Sequence, residues 1–320
     1  MDYTGIFFGY KQNRQLTDEE RAMQLRQKQR LDIRPMYELA VVRMNSTFLD
    51  SVDRYYAWRG ISAAFMYAMI GGYGFITVLG VVKVAVKWAS FDSDKQIELQ
   101  YAGVAVAIMT IPMFFLFTWT LLKEAFTLTH FPIRLNRRSG KVYVFRPVSA
   151  RKPVLVADWD RLFFTFGRCR KGVEPGQNWD IRAHVLAEDG KTVLDTFSFS
   201  VFMNERELDG LRAHWEFLRR YMEEGPREAY ETVKVCLPIA DRRETLRCAL
   251  NRFYLNFKGG LWLWIMLMPL WLVCVLARWI SGLTCRIPKW PQAIENECRI
   301  EPGDPYVRDA SMNPANAWEF

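Results

Sequence analysis

Two stretches of this sequence, ISAAFMYAMIGGYGFITVLGVV at residues 61–82 and AGVAVAIMTIPMFFLFTWTLL at residues 102–122, contain no formally charged residue. Each is close to the roughly 20 helical residues that cross the hydrocarbon core of a bilayer. A third apolar stretch, LWLWIMLMPLWLVCVLARWI at residues 261–280, has Pro269 near its middle and Arg278 near its end. The sequence therefore predicts a transmembrane helical hairpin at 61–122 and a third membrane segment.

The composition shows where the remaining residues go. Half of the 320 residues are hydrophobic, 24% are charged, and the net charge is +8. Because the apolar residues are concentrated in three stretches, roughly 250 residues remain for one packed domain and two tails. The first 30 residues are polar and lack the apolar core of a signal peptide, so we expect the first span to direct insertion.

Lysine and arginine near the spans predict the orientation, because they accumulate in cytoplasmic loops. Residues 41–60 contain three such residues and 123–142 contain five, whereas 83–101 contain three that are offset by three acids. We therefore expect a multi-pass membrane protein with the N-terminus and the main soluble domain in the cytoplasm.

The third stretch allows two interpretations. It crosses the membrane with a kink at Pro269, or it enters as a bent segment without crossing. Trp264 and Trp271 would lie inside a crossing helix, although tryptophan prefers the headgroup region. The two interpretations place the C-terminal tail on opposite sides of the membrane, so the side of the tail also stays open.

The N-terminal segment, residues 1–60, is predicted to be cytoplasmic and helical. Thr17 and Glu20 have the spacing of a capping box, which satisfies free amides at a helix start. Pro35 is expected to end the first helix, and a second helix is predicted over Met36–Tyr56. The basic residues 21–30 either contact anionic lipid or form a solvated helix face.

Residues 130–225 read as antiparallel strands that are followed by one helix. Residues 133–135 and 142–145 are apolar runs on either side of a turn that contains Gly140, and Asp189-Gly190 marks a second turn. Leu208, Leu211, Trp215, Leu218 and Met222 then form one helical stripe. We predict an α+β membrane protein in which these residues resemble a pleckstrin-homology-like fold, with the helix closing one end of the sheet.

Two further segments complete the chain. Residues 226–258 form an amphipathic connector, with its leucine face either at the membrane interface or against the soluble domain. Residues 281–320 are rich in proline and are expected to be an irregular tail. Cys285 and Cys298 would pair only if that tail lay in an oxidising compartment.

Known catalytic patterns do not stand out. His130, His184 and His214 lack metal-ligand spacing, and we interpret His184 as solvated and His214 as a surface or packing residue. Asp158 with Asp160, and Glu223 with Glu224, are interpreted as turn or helix-end acids. We predict no catalytic, cofactor or metal site, no nucleic-acid partner, and a non-enzymatic protein. Glycines at 71–74 would let the first span pack against the second span or against another copy, so a homo-oligomer is possible.

The best binding candidate is a basic patch that follows the second span. It comprises Arg134, Arg137, Arg138, Lys141 and Arg146. Three interpretations stay open: these residues contact membrane lipid, they bind an acidic protein partner, or they form a solvated sheet edge.

Two sequence strings carry a family resemblance. HFPIRLNRR at 130–138 continues into KVYVFR at 141–146, and the tail contains KWP at 289–291 and DPYVRDA at 304–310. They resemble uncharacterised proteobacterial membrane proteins that are associated with type VI secretion toxins. The resemblance implies an immunity or accessory protein of the bacterial inner membrane that binds a secreted effector toxin. The alternative is a membrane-anchored scaffold or lipid-sensing module without a toxin partner.

Overall fold

The computed structural model describes residues 9–146, 153–168, 178–204, 208–256, 261–315 and 317. The chain divides into two compact units. The first, here called the sheet unit, comprises Met1–Trp58, Leu128–Asn256 and Arg286–Phe320. The second, the helical unit, comprises Arg59–Thr127 and Phe257–Cys285. The sheet unit is thus assembled from three separate segments of the chain.

The strands in the described ranges form two five-stranded antiparallel sheets. In chain order they are β1 (Arg14–Gln15), β2 (Gln24–Leu25), β3 (Val41–Met44), β4 (Phe48–Ser51), β5 (Ile133–Asn136), β6 (Lys141–Phe145), β7 (Val154–Asp158), β8 (Leu162–Arg168), β9 (Asn178–Leu186) and β10 (Thr192–Asn204). One sheet has the order β1-β10-β9-β8-β2, and the other has the order β3-β4-β5-β6-β7. The longer strands therefore follow one another as meanders.

The described helices differ widely in length. They are α1 (Asp18–Ala22), α2 (Ile61–Lys87), α3 (Ser93–Leu122), α4 (Leu208–Glu223), α5 (Pro226–Thr232), α6 (Leu246–Asn256), α7 (Leu261–Thr284) and α8 (Gln292–Glu297). Three of them, α2, α3 and α7, are long and apolar enough to cross a membrane. The α+β class and the three apolar helices agree with the sequence prediction.

Both predicted turns lie between paired strands. Strands β5 and β6 pair with Ile133 opposite Val144, and Gly140 has a φ of +65° in the connecting turn. Strands β9 and β10 pair across the second turn, where Gly190 has a φ of +64°. Glycine has no Cβ and adopts these left-handed conformations readily. The two hairpin predictions are confirmed.

One hydrophobic core lies between the two sheets and α4. It includes Leu135 and Val142 from one sheet, Phe164 and Ile181 from the other, and Trp215 from the helix. The Trp215 side chain is 1% exposed, and its ring centroid lies 4.7 Å from that of Phe164. The predicted amphipathic helix is confirmed, because Leu211, Trp215, Leu218 and Met222 of its apolar stripe belong to this core.

The predicted helical N-terminus is wrong beyond its first turn. The capping box of Thr17 and Glu20 is present, but α1 ends at Ala22. Residues predicted as helix over Met36–Tyr56 instead form β3 and β4. Those strands pair with each other and with β5, so tertiary pairing overrides local helix propensity.

The segment between α1 and β3 is held against α4 by hydrogen bonds to its backbone. The Leu31 amide donates to Glu216, and the guanidinium of Arg220 donates to the carbonyls of Leu31 and Ile33. Glu216 is buried and also accepts from Arg219 and Arg220. Side chains of α4 thus take the backbone hydrogen bonds that a helix would have made internally.

The predicted domain boundary at 130–225 is too narrow. Strand β4 pairs with β5 along its whole length, from Phe48 opposite Asn136 to Ser51 opposite Ile133. The tail also joins the sheet unit, since Met44 and Arg308 exchange backbone hydrogen bonds of 2.9 and 2.8 Å. The tail is less irregular than expected because it contains α8.

The connector contains two helices, and α6 packs with an unexpected face. Cys248, Ala249 and Arg252 are buried, whereas Leu246 and Leu250 are exposed. Arg252 donates to the carbonyl of Leu39 at 2.9 Å. The helix therefore packs on the sheet unit, but not through the leucine face that the sequence suggested.

In the helical unit, a glycine and a glutamate organise the start of α2. The Glu124 carboxylate accepts from the amide of Gly60, from the hydroxyl of Ser62 and from the amide of Ala63 at 3.1 Å. Gly60 has a φ of +97°, and a Cβ there would lie 2.5 Å from Cβ of Arg278. Both the backbone angle and the close approach require glycine.

The glycines of α2 do not pack against the second span. A Cβ added at Gly71, Gly72 or Gly74 would have no described atom within 4 Å. The alternative of packing against the second span is therefore wrong for these positions. Packing against another copy of the chain stays a prediction.

Two histidines are more deeply buried than the sequence indicated. His184 and His214 are both 0% exposed, so the solvated interpretation of His184 is wrong. Nδ1 of His184 lies 2.8 Å from Oγ1 of Thr196, and Nδ1 of His214 lies 3.1 Å from the carbonyl oxygen of Met36. Burial lowers the pKa of His214 to about 4, although the bond to Met36 acts in the opposite direction.

The cysteines whose bonding the structure describes are reduced. Cys236, Cys248, Cys274, Cys285 and Cys298 are all free and buried. The conditional disulfide between Cys285 and Cys298 is therefore absent. Cys169 lies outside the described residues.

We expect Trp215→Ala to destabilise the sheet unit by about 3–5 kcal/mol, because truncating a core tryptophan removes its packing and leaves a cavity. Val156→Ala is the matched control, since Val156 is 51% exposed and should change stability by less than about 0.5 kcal/mol. Thermal unfolding of the full chain in detergent measures both. Equal midpoints for the two variants would show that α4 does not close the core.

We also expect the protein to lose stability as the pH falls from about 6.5 to about 4. The unfolded state protonates its histidine in this range, whereas folded His214 stays neutral because its pKa is depressed. The contribution of His214 to the free energy of unfolding is therefore fully present above the pKa of histidine in the unfolded state. It is lost as the pH falls to the folded pKa, and its complete loss amounts to roughly 3 kcal/mol. His214→Gln should reduce the difference between the unfolding midpoints at pH 7 and pH 5. An unchanged difference would contradict this role of His214.

Candidate binding site

An open cleft of about 230 Å³ lies on the sheet unit. Its lining brings together two basic, two acidic and several apolar side chains from the sheet and the tail. They are Val42, Arg43, Asp50, His130, Pro132, Ala240, Pro288, Lys289, Trp290 and Glu295. The cleft therefore exists only because the tail packs beside the sheet.

Strand register places three charged residues in one row beside this cleft. Asp50 on β4 is directly opposite Arg43 on β3 and Arg134 on β5. Side chains of directly opposed residues project from the same face of a sheet, so the carboxylate lies between the two guanidinium groups. Nε of Arg134 donates to Oδ1 of Asp50 at 2.6 Å, and Nε of Arg43 donates to Oδ2 at 2.8 Å.

The tail adds a second carboxylate and an aromatic ring. Glu295 on α8 accepts from Nη2 of Arg134 at 3.3 Å, and it lies 3.5 Å from Nη2 of Arg43. The guanidinium of Arg134 lies between the rings of Phe48 and Trp290, with its Cζ 4.3 and 4.7 Å from their centroids. A cation between two aromatic faces gains cation–π attraction in addition to its ion pair.

These contacts hold the charges of the cluster in place. Burial would raise the pKa of Asp50, but Arg134 and Arg43 hold it below the ordinary value. Burial would lower the pKa of Arg134, but Asp50 and Glu295 raise it. Asp50 therefore remains ionised near neutral pH and is poorly suited to accept a proton. The arrangement favours recognition by fixed charges over acid–base chemistry.

The mouth of the cleft offers groups that a ligand can reach. Lys289 is exposed, Trp290 is partly exposed, and the side chain of Arg43 is 33% exposed. His130 is 3% exposed, and its Nδ1 lies 3.1 Å from Oγ1 of Thr129. A polar or charged segment of a partner would meet two cations and an aromatic surface here.

The structure does not assemble the predicted basic patch as one free surface. Arg134 is 0% exposed, so its assignment to a lipid-facing or partner-facing surface is wrong. Arg134 belongs to the charged network behind the cleft, because it is paired with Asp50 on the neighbouring strand and its guanidinium binds the Asp50 carboxylate.

The other four residues of the predicted patch differ in their surroundings. Arg138 pairs with Glu301 at 3.0 Å, Lys141 pairs with Glu297 at 3.4 Å, and Arg146 pairs with Asp195. Arg137 is exposed, with no carboxylate in ion-pair range in the described part of the chain. Most of the patch is therefore neutralised by the protein itself.

Sequence reasoning missed the residues that do this. Glu295, Glu297 and Glu301 all come from the tail that was expected to be irregular. The available signal was the spacing of three acids within residues 295–301, beside KWP at 289–291. The acidic groups that the basic patch was predicted to meet on a partner are thus supplied in part by the tail of the same chain.

The other acidic pairs lie outside this site. Asp158 and Asp160 are 58% and 69% exposed and contact Arg161 and Lys28 at the surface. Within the described ranges, His, Cys, Asp and Glu side chains do not form a group of three that could hold a metal ion.

We expect Asp50→Asn to destabilise the sheet unit by about 3–5 kcal/mol, because it leaves the buried Arg134 without its main counter-charge. Asp158→Asn is the matched control, since this exposed carboxylate lies 4.0 Å from Arg161 and should contribute about 0–1 kcal/mol. Thermal unfolding in detergent compares the two. If Asp50→Asn unfolds at the same temperature as the control, the network does not stabilise the sheet.

Comparison with known proteins gives one relationship. No curated protein and no solved structure matches the chain significantly. A family of unknown function, DUF6708, matches residues 108–302, which include α7, α8 and all strands from β5 to β10. Because this match covers more than half of the 320 residues, the chain belongs to that family of unknown function.

Proposed function

We propose that this protein is a non-enzymatic protein of the bacterial inner membrane whose sheet unit binds a protein partner. The partner is a cognate type VI secretion effector, for which this chain acts as an immunity or accessory protein. The observation that carries the binding role is the open cleft, where a permanently charged network lies behind exposed Lys289 and partly exposed Trp290. The sequence resemblance at 130–146 and 289–310 supports the secretion context.

The charged residues behind the cleft are already ordered, which lowers the entropic cost of binding a partner. Arg43, Asp50, Arg134 and Glu295 are already paired, so a partner does not have to rearrange them before it docks. A preorganised site loses less side-chain entropy on association than a flexible one. Aromatic and basic side chains at the rim are typical of protein interfaces.

We also propose that β4–β10 and α4 follow a pleckstrin-homology-like topology. The support is their order: β4-β5-β6-β7 and β8-β9-β10 are consecutive antiparallel neighbours, and α4 then contributes Trp215 and Leu218 to the core. In this proposal the transmembrane hairpin is an insertion between the first two strands of that topology.

For orientation, we propose that the sheet unit lies in the cytoplasm. The support is the surplus of lysine and arginine in residues 41–60 and 123–142 over residues 83–101. A cytoplasmic immunity protein would intercept an effector after the effector had entered the cell.

A membrane-anchored, lipid-sensing scaffold is the second candidate. Exposed Arg137, together with exposed Arg242 in the connector, favours it, because basic side chains near a membrane attract anionic headgroups. Such a scaffold would function without any toxin.

The immunity proposal predicts that deleting the gene sensitises the cell to siblings with an active type VI secretion system. Supplying the wild-type chain should restore survival in mixed culture. Lys289→Glu should restore it less, because reversing an exposed charge at the cleft opposes a complementary partner. Arg161→Glu is the matched control, since Arg161 is 88% exposed and is not among the residues that line the cleft.

Two results would contradict the proposal in different ways. Equal survival of the deletion strain and its parent would contradict the immunity function and favour the scaffold. Full restoration of survival by Lys289→Glu at normal protein level would be consistent with the immunity function but would contradict the cleft as the effector-binding site.

A further inference from the structure

We propose that α7 does not cross the membrane and instead lies in the lipid interface. This assignment follows from the way three chain segments build one folded unit. Only α2 and α3 then cross the bilayer, and the three segments of the sheet unit lie on one side of it.

The first two segments of the sheet unit are inseparable. Residues 1–58 supply β3 and β4, and residues 128–256 supply β5, β6 and β7 of the same sheet. The strands β4 and β5 pair through four consecutive positions, with Leu49 opposite Leu135 in the core. These segments therefore lie on the same side of the membrane, which two crossings by α2 and α3 allow.

The third segment is joined to both of the others. The tail exchanges backbone hydrogen bonds with β3 through Arg308 and Met44. The amide of Thr129 donates to the carbonyl of Arg286 at 2.9 Å. Asn313 exchanges two hydrogen bonds with the backbone of Cys236, at 2.8 and 2.7 Å. These contacts bind residues 286–313 to the first two segments at several separate points.

The number of crossings between the second and third segments must then be even. Backbone hydrogen bonds of a folded sheet do not form through a bilayer, so the tail lies on the side of the strands it binds. The described chain between Asn256 and Arg286 consists of the helix α7 and Cys285. Residues 257–260 lie outside the described residues. A single crossing by α7 would put the tail on the wrong side. The helix continues from Leu261 to Thr284 without a reversal.

The exposed surface of α7 is apolar and wide. Trp262 is 81% exposed, Met266 77% and Leu270 58%, and the same surface continues through Leu272 and Leu276. The opposite side of the helix is covered by protein, since Cys274, Val275 and Arg278 are buried. A wide apolar surface of this kind is buried by lipid when the helix lies within the outer part of a leaflet.

Two further features favour lipid as the occupant of that face. Tryptophan is enriched at the membrane interface, and α7 contains Trp262, Trp264, Trp271 and Trp279. The charge of Arg278 does not oppose this placement, because its side chain is 4% exposed and donates to the carbonyl of Arg59 at 3.2 Å. Pro269 lets the helix bend along a surface.

The first test compares the two sides of the membrane with single cysteines at exposed positions: Ser139→Cys in the sheet unit, Ser311→Cys in the tail and Ser93→Cys between α2 and α3. The unsubstituted chain gives the background from its own cysteines. An impermeant maleimide applied to intact and permeabilised cells should label positions 139 and 311 alike, and position 93 in the opposite pattern. Opposite patterns at 139 and 311 would show that α7 crosses and would overturn the proposal. The same pattern at all three positions would remove the two crossings on which it depends.

The second test measures depth in vesicles of mixed anionic and zwitterionic lipid. A nitroxide on Leu270→Cys should lie near the headgroups, whereas one on Met109→Cys, in the middle of α3, should lie near the bilayer centre. Met109 is the matched control because it is also exposed, at 72%. Equal depth for both labels would overturn the interfacial placement. A disulfide-linked dimer formed by Leu270→Cys alone would assign this face to a second copy and would also overturn it.

Discussion

The antiparallel pairing of β4 with β5 is the interaction on which the rest of the structure depends. It joins strands that are separated by about 80 residues, and closing a flexible loop of that length has an entropic cost. Folding of the hairpin reduces this cost, because Glu124 accepts hydrogen bonds from Gly60, Ser62 and Ala63 and so holds the two ends of the inserted segment together. Formation of these contacts therefore shortens the effective loop that the pairing of β4 with β5 has to close.

Buried charge gives this sheet its specificity. The row of Arg43, Asp50 and Arg134 is satisfied in only one register, because a shift by one residue would move each side chain to the other face. Removing two ions from water costs several kcal/mol each, so such a network is a weak source of net stability. Its effect is to disfavour the pairing that is shifted by one residue. Glu216 acts similarly on α4, where it fixes the path of the N-terminal segment through the amide of Leu31.

Features that depend on local sequence could be predicted. The apolar stretches, the turns at Gly140 and Gly190 and the stripe around Trp215 depend on neighbouring residues, and all of them form as predicted. The strands β3 and β4 could not be predicted in this way, because their partner in the sheet follows both α2 and α3 along the chain. The candidate site was missed for the same reason. Arg134 was recognised as basic, but its burial depends on Asp50 and Trp290, which are distant in sequence.

The division of the sheet unit into three segments has a consequence for its synthesis. The ribosome makes β3 and β4 before α2 and α3, and only afterwards β5, so at roughly 5–20 residues per second the two strands wait several seconds for their partner. During that interval Leu49 and Val41 are exposed, and the edge of β4 is open to the wrong neighbours. The tail, which completes the charged cluster, is synthesised after both of the segments that it binds. A product truncated before the tail would therefore lack Glu295 and Arg308 and remain exposed to quality-control proteases.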